Sequence, residues 1–169
     1  IAGGCDNEAS GACSTVGGGR GNEASGDGST VGGGCGNTAS NNYATIAGGD
    51  GNEAGGTNSI IGGGSFNTAS GANSTIAGGC SNNTSSFNNF SVISGGLNNE
   101  ITGGSLGGFN GYSFIGGGCN NTAYSDPQSQ GSGFITVSGG RNNYACGVNS
   151  TIGGGISNTA SGYVSIIGG

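Results

Sequence analysis

The side chains that could support acid–base or nucleophilic chemistry are eight acidic residues, six cysteines and two arginines, with no histidine. The only basic side chains are Arg20 and Arg141, so the chain has no lysine. Ser-His-Asp, Cys-His and lysine-based nucleophile systems therefore cannot form within this chain. The cysteines have no C-x-x-C spacing, which makes a zinc site unfavourable. We expect a protein that is not an enzyme and that uses no cofactor or metal.

Two of the carboxylates have a spacing that could place them side by side. Glu8 and Glu23 occupy matching places in consecutive copies of a similar sequence, with Asp6 near the first of them. A glycosidase-like carboxylate pair and a surface cation site are both conceivable, but a solvated acidic edge is favoured. The net charge of −6 and the isoelectric point near 4.1 argue against nucleic-acid partners and against anionic membranes. We expect no nucleic-acid partner and no membrane insertion.

The sequence around these residues consists of repeats. The segments STVGGGRGNEASG, STVGGGCGNTASN, STIAGGCSNNTSS and STIGGGISNTASG are variants of one unit, and most units share a 15-residue period. We number each unit, or coil, from the Ile or Val that precedes its glycines. Coils then begin at Ile1, Val16, Val31, Ile46, Ile61, Ile76, Ile93, Ile115, Val137 and Ile152. A flexible Gly/Ser linker has no reason to keep such a phase.

Alternation within the coil predicts strands. Asn-x-Ala-x-Gly and Ser-x-Ile-x-Gly both repeat with period 2, and no 3.6-residue apolar pattern is present. We therefore predict an all-β fold: a parallel β-solenoid, or β-roll, of about ten 15-residue coils with two short strands per coil, forming a single domain over residues 1–169. The lack of a distinct terminal repeat predicts either a segment of a longer array, which we favour, or exposed end coils that stack head to tail.

Position 7 is asparagine in every complete coil, and we expect these side chains to form an inward amide ladder. The ladder residues are Asn7, Asn22, Asn37, Asn52, Asn67, Asn82, Asn99, Asn121, Asn143 and Asn158. The invariant glycines at positions 3 and 4 are expected to form tight corners with positive φ. Ile or Val at position 1 and Ala at position 9 should form a thin core.

The segment NTASGANSTIAGG at 67–79, with its relatives along nearly the whole chain, resembles the head repeats of trimeric autotransporter adhesins. The half-repeat Asn-x-Ala-x-Gly is also similar to the Asn-ladder β-roll of a grass antifreeze protein. The adhesin resemblance implies a left-handed parallel β-roll at a bacterial surface. The 15-residue period, the triple glycine, the cysteines and the insertions depart from the adhesin pattern, and no stalk coiled coil is visible.

The disulfide candidates are Cys5, Cys13, Cys35, Cys80, Cys119 and Cys146. Four of them, Cys5, Cys35, Cys80 and Cys119, share position 5 in coils at least two steps apart, which is about 10 Å and too far for a disulfide. A bond between Cys5 and Cys13 is possible on spacing. The cysteines could form disulfides to neighbouring subunits in an oxidising compartment. The alternative is that they are small side chains that fill buried space.

Coils six to eight are longer than the others, which predicts insertions at 84–91, 103–112 and 124–133. Aromatic residues concentrate here, and Phe109, Tyr112 and Tyr124 are the candidates for contact with a partner or a surface glycan. The alternative is that they pack beneath their own loops. The Asn-x-Ser/Thr triplets make Asn73, Asn83, Asn89 and Asn149 candidates for glycosylation if the source is eukaryotic.

A row of threonines at position 15, flanked by glycines, predicts a face with little side-chain relief. Such a face could pack against another copy or order water. We favour packing, because Ile60, Phe114 and Ile166 interrupt the threonine row. The sequence therefore predicts an extracellular or cell-surface structural rod, either filament-forming or adhesive, that assembles with copies of itself. An ice-binding solenoid is the alternative, and a tailspike-like carbohydrate enzyme is a distant third.

Overall fold

A computed structural model describes residues 1–103, 111–126 and 133–169, and in these ranges the chain contains strands and no helix. The strands form two parallel ten-stranded sheets. The first sheet contains the odd-numbered strands and the second the even-numbered ones, so the chain passes once through each sheet per coil. The predicted all-β parallel solenoid of about ten coils is confirmed. Phe109 and parts of the insertions at 103–112 and 124–133 lie outside the described residues.

Most strands contain only two residues. Their bounds are β1 Glu8–Ala9, β2 Thr15–Val16, β3 Glu23–Ala24, β4 Thr30–Val31, β5 Thr38–Ala39, β6 Thr45–Ile46, β7 Glu53–Ala54, β8 Ile60–Ile61, β9 Thr68–Ala69, β10 Thr75–Ile76, β11 Asn83–Thr84, β12 Val92–Ile93, β13 Glu100–Gly103, β14 Tyr112–Ile115, β15 Thr122–Ser125, β16 Phe134–Val137, β17 Tyr144–Ala145, β18 Thr151–Ile152, β19 Thr159–Ala160 and β20 Ile166–Ile167.

The insertions leave the strand register unchanged. Ile76 pairs with Ile93, Ile93 with Ile115, and Ile115 with Val137, although these pairs are further apart in sequence than those of the regular coils. In coils seven and eight the strands lengthen to four residues on each side of the inserted segments. The extra residues therefore add no coil to the stack.

The core is a single column between the sheets. Ile or Val at position 1 is fully buried in the central coils and faces the buried Ala at position 9. Thr84 and Ile101 replace alanine in coils six and seven and are equally buried. Alternation explains the column, because position 1 and position 9 point inward while their neighbours at 15 and 8 point outward.

The asparagines at position 7 form an inward ladder, and an inner member such as Asn67 connects three coils. The amide nitrogen of Asn67 donates to the Gly63 carbonyl at 3.0 Å, to the Gly79 carbonyl at 3.0 Å and to Asn52 Oδ1 at 3.1 Å. Its own Oδ1 accepts from the backbone N–H of Asn82 at 3.0 Å. Because Asn67 is fully buried, these bonds satisfy polar groups that water cannot reach.

The glycine at position 4 is required by both conformation and space. Gly49 has a φ of 104°, and a Cβ placed there would meet the Gly64 carbonyl and lie 2.6 Å from Asn52 Nδ2. A Cβ at Gly48, its neighbour at position 3, would make only an ordinary van der Waals contact, with the Gly33 carbonyl oxygen 3.8 Å away. The two glycines of one corner therefore differ in how strongly the fold needs them.

Positive φ also occurs at positions 6 and 13, which the sequence analysis did not predict. Glycine and asparagine are common there, and both tolerate the left-handed region. The non-glycine examples include Phe66 at 55° and Val164 at 53°. A β-branched residue in this region is strained. Contacts with adjacent coils therefore determine the corner geometry, and the preference of the individual residue does not.

Position 14 contributes an inward column of serines beside the alanines. The hydroxyl of Ser74 donates to the Gly71 carbonyl at 2.6 Å, and the Thr84 hydroxyl donates to Ser74 Oγ at 3.1 Å. Within the described ranges, six other serines of this column have a buried Oγ without a hydrogen-bond partner: Ser14, Ser29, Ser59, Ser113, Ser150 and Ser165. Serine at this position keeps the coil narrow, but these six hydroxyls are left without a hydrogen-bond partner.

Candidate interaction surfaces

The first sheet carries the acidic surface. Glu8 and Glu23 are paired neighbours in β1 and β3, while Glu53 has threonines on both sides. The pocket on this sheet is a shallow polar groove of about 270 Å³ over coils six to eight. It is lined by Ser81, Asn83, Asn98, Glu100, Asn120 and Thr122. Asn98 donates to Asn120 Oδ1 at 2.8 Å, so the groove wall is a second, exposed amide ladder.

The second sheet presents the opposite kind of surface. Its outward residues at position 15 are Thr15, Thr30, Thr45, Ile60, Thr75, Val92, Phe114, Thr136, Thr151 and Ile166, and those at position 2 are only glycine, alanine or serine. We call these two rows the uncharged face. None of the two arginines and eight acidic residues of the chain lies in it. It runs the length of the rod, about 45 Å at the spacing of parallel strands.

An aromatic stack borders the uncharged face. The rings of Phe90 and Tyr112 lie 5.4 Å apart, and those of Tyr112 and Phe134 lie 5.3 Å apart, both nearly parallel. All three rings are partly exposed. Because the rings cover one another, a ligand that needs an open ring face can reach only the outer faces of Phe90 and Phe134.

The aromatic residues expected to bind a partner do not form one cluster. Tyr112 is in β14 of the second sheet, whereas Tyr124 is in β15 of the first sheet and stacks on Tyr144 at 6.3 Å. Burial raises the pKa of the Tyr144 phenol. Phe109 lies outside the described residues. Both tyrosines stack on an aromatic ring of a neighbouring coil.

The position-5 residues form a continuous column along one corner. Bridge pairing orders them as Cys5, Arg20, Cys35, Asp50, Ser65, Cys80, Leu97, Cys119, Arg141 and Ile156. All six cysteines of the chain are free thiols in this structure, and each is exposed or half-buried. No disulfide joins Cys5 to Cys13. The alternative that the cysteines are buried fillers does not fit this exposure.

Neighbouring groups raise the pKa of two side chains in this column and lower the pKa of a third. The Cys5 thiol donates to Asp6 Oδ2 at 3.0 Å, which raises the pKa of Cys5. Hydrogen bonds from the Ser81 and Ser65 hydroxyls lower the pKa of Cys80. Arg20 Nη2 lies 3.4 Å from Cys35 Sγ, and this contact raises the pKa of Arg20.

The glycosylation candidates differ in accessibility. Asn73 is exposed at a corner, whereas Asn83, Asn89 and Asn149 are half-buried. Asn83 Nδ2 donates to Glu100 Oε1 at 3.4 Å, and Asn149 Oδ1 accepts from the Phe134 N–H at 3.3 Å. A glycan on Asn83 Nδ2 would disturb the contact with Glu100, and exposure makes Asn73 the most accessible of the four candidates.

Searches of the chain give no family assignment. Within the described ranges there is no group of three or more His, Cys, Asp or Glu side chains placed to hold a metal ion. The described part of the chain also contains no helix capable of crossing a membrane.

No model of a known protein family matches the sequence, and no curated protein matches it. The chain is a β-solenoid repeat protein, and the resemblance to adhesin heads or antifreeze β-rolls stays a prediction.

Proposed function

We propose that this chain is a non-enzymatic structural rod that associates with its own copies into an extracellular or cell-surface fibre. The observation that supports this proposal is the segregation of charge between the two sheets. Acidic side chains are confined to the first sheet, the corners and the insertions, while the uncharged face of the second sheet extends over all coils. Burial of such a face against a second copy removes apolar and backbone surface from water without burying a charge.

The shape of the uncharged face also favours packing. Glycine, alanine and serine at position 2 give no relief, and the branched side chains at position 15 form one ridge beside them. A ridge next to a groove is self-complementary, because the ridge of one copy can lie in the groove of another. Shape complementarity is what stable interfaces share with protein interiors.

The experiment compares matched pairs of charges on the two sheets. Thr45→Lys with Thr75→Lys adds two charges to the uncharged face in coils three and five. Thr38→Lys with Thr68→Lys adds the same charges to the first sheet in the same coils, and all four threonines are half-buried. Electron microscopy and light scattering under reducing conditions should show fibres from the wild type and the first-sheet variant only. Equal assembly by both variants would contradict the proposal.

Ice binding is the second candidate, and the regular threonines of the uncharged face are the observation that favours it. Thr15, Thr30 and Thr45 are direct register neighbours, so their hydroxyls repeat at the strand spacing. Inhibition of ice recrystallisation by the dispersed wild-type rod, and its loss in the Thr45→Lys, Thr75→Lys variant alone, would favour this function over fibre formation.

A further inference from the structure

The order of cysteines along the position-5 column is symmetric, which the sequence spacing conceals. The three intervals between the four cysteines along the chain are all different in length. In the structure the insertions add no coils, so Cys5, Cys35, Cys80 and Cys119 occupy coils one, three, six and eight of the bridge column. The steps between them are therefore two, three and two coils. The same pattern is read from either end.

We propose that two copies of this chain pair antiparallel along the position-5 column and are joined by disulfides between Cys5 and the partner's Cys119 and between Cys35 and the partner's Cys80. A twofold axis between coils four and five brings both pairs together twice, so that four disulfides link one dimer. This inference rests on the proposed function for the claim that the rod associates with its own copies, and it names the edge and the register.

Other registers match the column less well. An antiparallel shift of two coils aligns cysteines at only two places, and a parallel pair in register aligns all four but also places Arg20, Asp50 and Arg141 against the same residues of the partner. A shift of one coil in either direction aligns no cysteine with a cysteine, and in one direction it places Asp50 opposite the partner's Asp50. In the symmetric register Asp50 faces the partner's Ser65, and Arg20 faces the partner's Leu97, so no like charges meet. Isologous pairing of this kind closes on itself and is the commonest arrangement in homo-oligomers.

The corner permits the close approach that a disulfide requires. Cα atoms of bonded cysteines lie about 4.4–6.8 Å apart, so two backbones must come nearly into contact. Positions 3 and 4, on one side of the column, are glycine in every coil. Within one chain, successive cysteines of the column are two or three coils apart, or about 10–14 Å, so they cannot pair with one another.

The sulfurs of the inner pair both have polar neighbours. Hydrogen bonding with Ser81 and Ser65 lowers the pKa of Cys80, and Arg20 Nη2 lies 3.4 Å from Cys35 Sγ. With oxidised glutathione as the oxidant, the Cys80 thiolate attacks one glutathione sulfur and releases one glutathione thiolate, which takes up a proton. The partner's Cys35 thiolate then attacks the Cys80 sulfur and releases the second glutathione. Two protein thiols are oxidised and one small disulfide is reduced to two thiols.

The test uses the full chain with Cys13→Ser and Cys146→Ser, oxidised with a glutathione buffer at low protein concentration. Two double variants each remove two column cysteines. Cys35→Ser with Cys80→Ser leaves the matched outer pair, and Cys35→Ser with Cys119→Ser leaves Cys5 and Cys80, which do not face each other in the antiparallel dimer. Non-reducing gels should show covalent dimer at least about tenfold more abundant in the first variant than in the second.

Mass spectrometry of linked peptides identifies the register directly. In the parent chain we expect Cys5–Cys119 and Cys35–Cys80 links. Links of Cys5 to Cys80 and of Cys35 to Cys119 would instead show parallel rods staggered by five coils, and they would overturn the antiparallel register, as would a monomer or random linkage. Fibres that form under reducing conditions without these links would uphold the proposed function while removing this inference.

Discussion

The asparagine ladder contributes more to stability than the buried area of its side chains suggests. The apolar column of this rod is only one branched side chain and one alanine wide, so hydrogen bonds must supply much of the specificity. Each inner ladder asparagine joins its own corner to the coils before and after it. Loss of one side chain therefore leaves unsatisfied groups in three coils.

Asn67→Ala tests this role. The substitution removes the donor to the carbonyls of Gly63 and Gly79 and the acceptor for the N–H of Asn82. We expect the free energy of unfolding to fall by about 2–4 kcal/mol, because buried groups are left without partners. The neighbouring outward substitution Thr68→Ala should cost less than about 1 kcal/mol. Urea denaturation followed by circular dichroism compares them, and equal midpoints would contradict the role.

Two cysteines provide a second prediction, because the more exposed thiol has the raised pKa and the less exposed thiol has the lowered pKa. Cys5 is more exposed than Cys80, but hydrogen bonding raises the pKa of Cys5 and lowers that of Cys80. The thiolate is the nucleophile, so Cys80 should be alkylated faster by iodoacetamide near neutral pH. As pH falls, the Cys80 rate should persist to lower pH than the Cys5 rate.

Ser81→Gly is the control for this prediction. Glycine suits the positive φ of 55° at this position and removes the hydroxyl beside the sulfur, 3.5 Å away. The pH profile of Cys80 should then move upward while that of Cys5 stays unchanged. Mass spectrometry of time-resolved alkylation measures both sites in one sample. Faster reaction of Cys5 at every pH would show that access, rather than pKa, governs reactivity.

Among the strands and corners, the regular phase of the repeat was sufficient to predict where the strands lie. Alternation around Ala24 and Val31 defines an inward residue and its outward neighbours, and the same phase recurs in each coil. Corners were predicted less completely. Glycine marks position 4 plainly, but Phe66 and Val164 occupy left-handed corners for which neither residue type is a signal. Their geometry follows from hydrogen bonds to adjacent coils, which single-coil patterns do not contain.

The surfaces could be predicted only in part, because the sequence alone does not show which residues of different coils are neighbours. The threonine row was visible in the sequence because it is periodic. The stack of Phe90, Tyr112 and Phe134 was not, because the insertions separate these residues by more than the common period. Only the register across the insertions, with Tyr112 beside Phe134, shows that they are neighbours.

Adjacent glycines of one corner give a prediction about how the coil turns. Gly49→Ala should destabilise the rod by more than about 3 kcal/mol, since the left-handed backbone is strained and the new Cβ collides with the next coil. Gly48→Ala should change the free energy of unfolding by less than about 1 kcal/mol because its Cβ makes only an ordinary van der Waals contact with the Gly33 carbonyl oxygen, 3.8 Å away. Thermal unfolding measured side by side distinguishes them, and similar losses would show that the corner is not sterically closed.

Over its full length, the rod is a stack in which each coil contacts its neighbours. Every described strand pairs only with the strands of the preceding and following coils. Stability should therefore be a sum of coil terms and nearest-neighbour interface terms, as in other solenoids. The insertions agree with this view, because coils six to eight differ in length without disturbing the register on either side.

Deletion of one coil in phase tests the additive stack. Removal of residues 47–61 joins Ile46 to Gly62, which preserves the order of positions and brings Thr45 into register with Thr75. We expect a folded rod with an unchanged β-sheet circular dichroism spectrum per residue and a modestly lower unfolding midpoint. Removal of residues 47–54, about half a coil, joins position 1 to position 10, so inward residues would be displaced from the core column. That variant should unfold or aggregate, whereas equal folding of both deletions would mean that coil phase does not determine the structure.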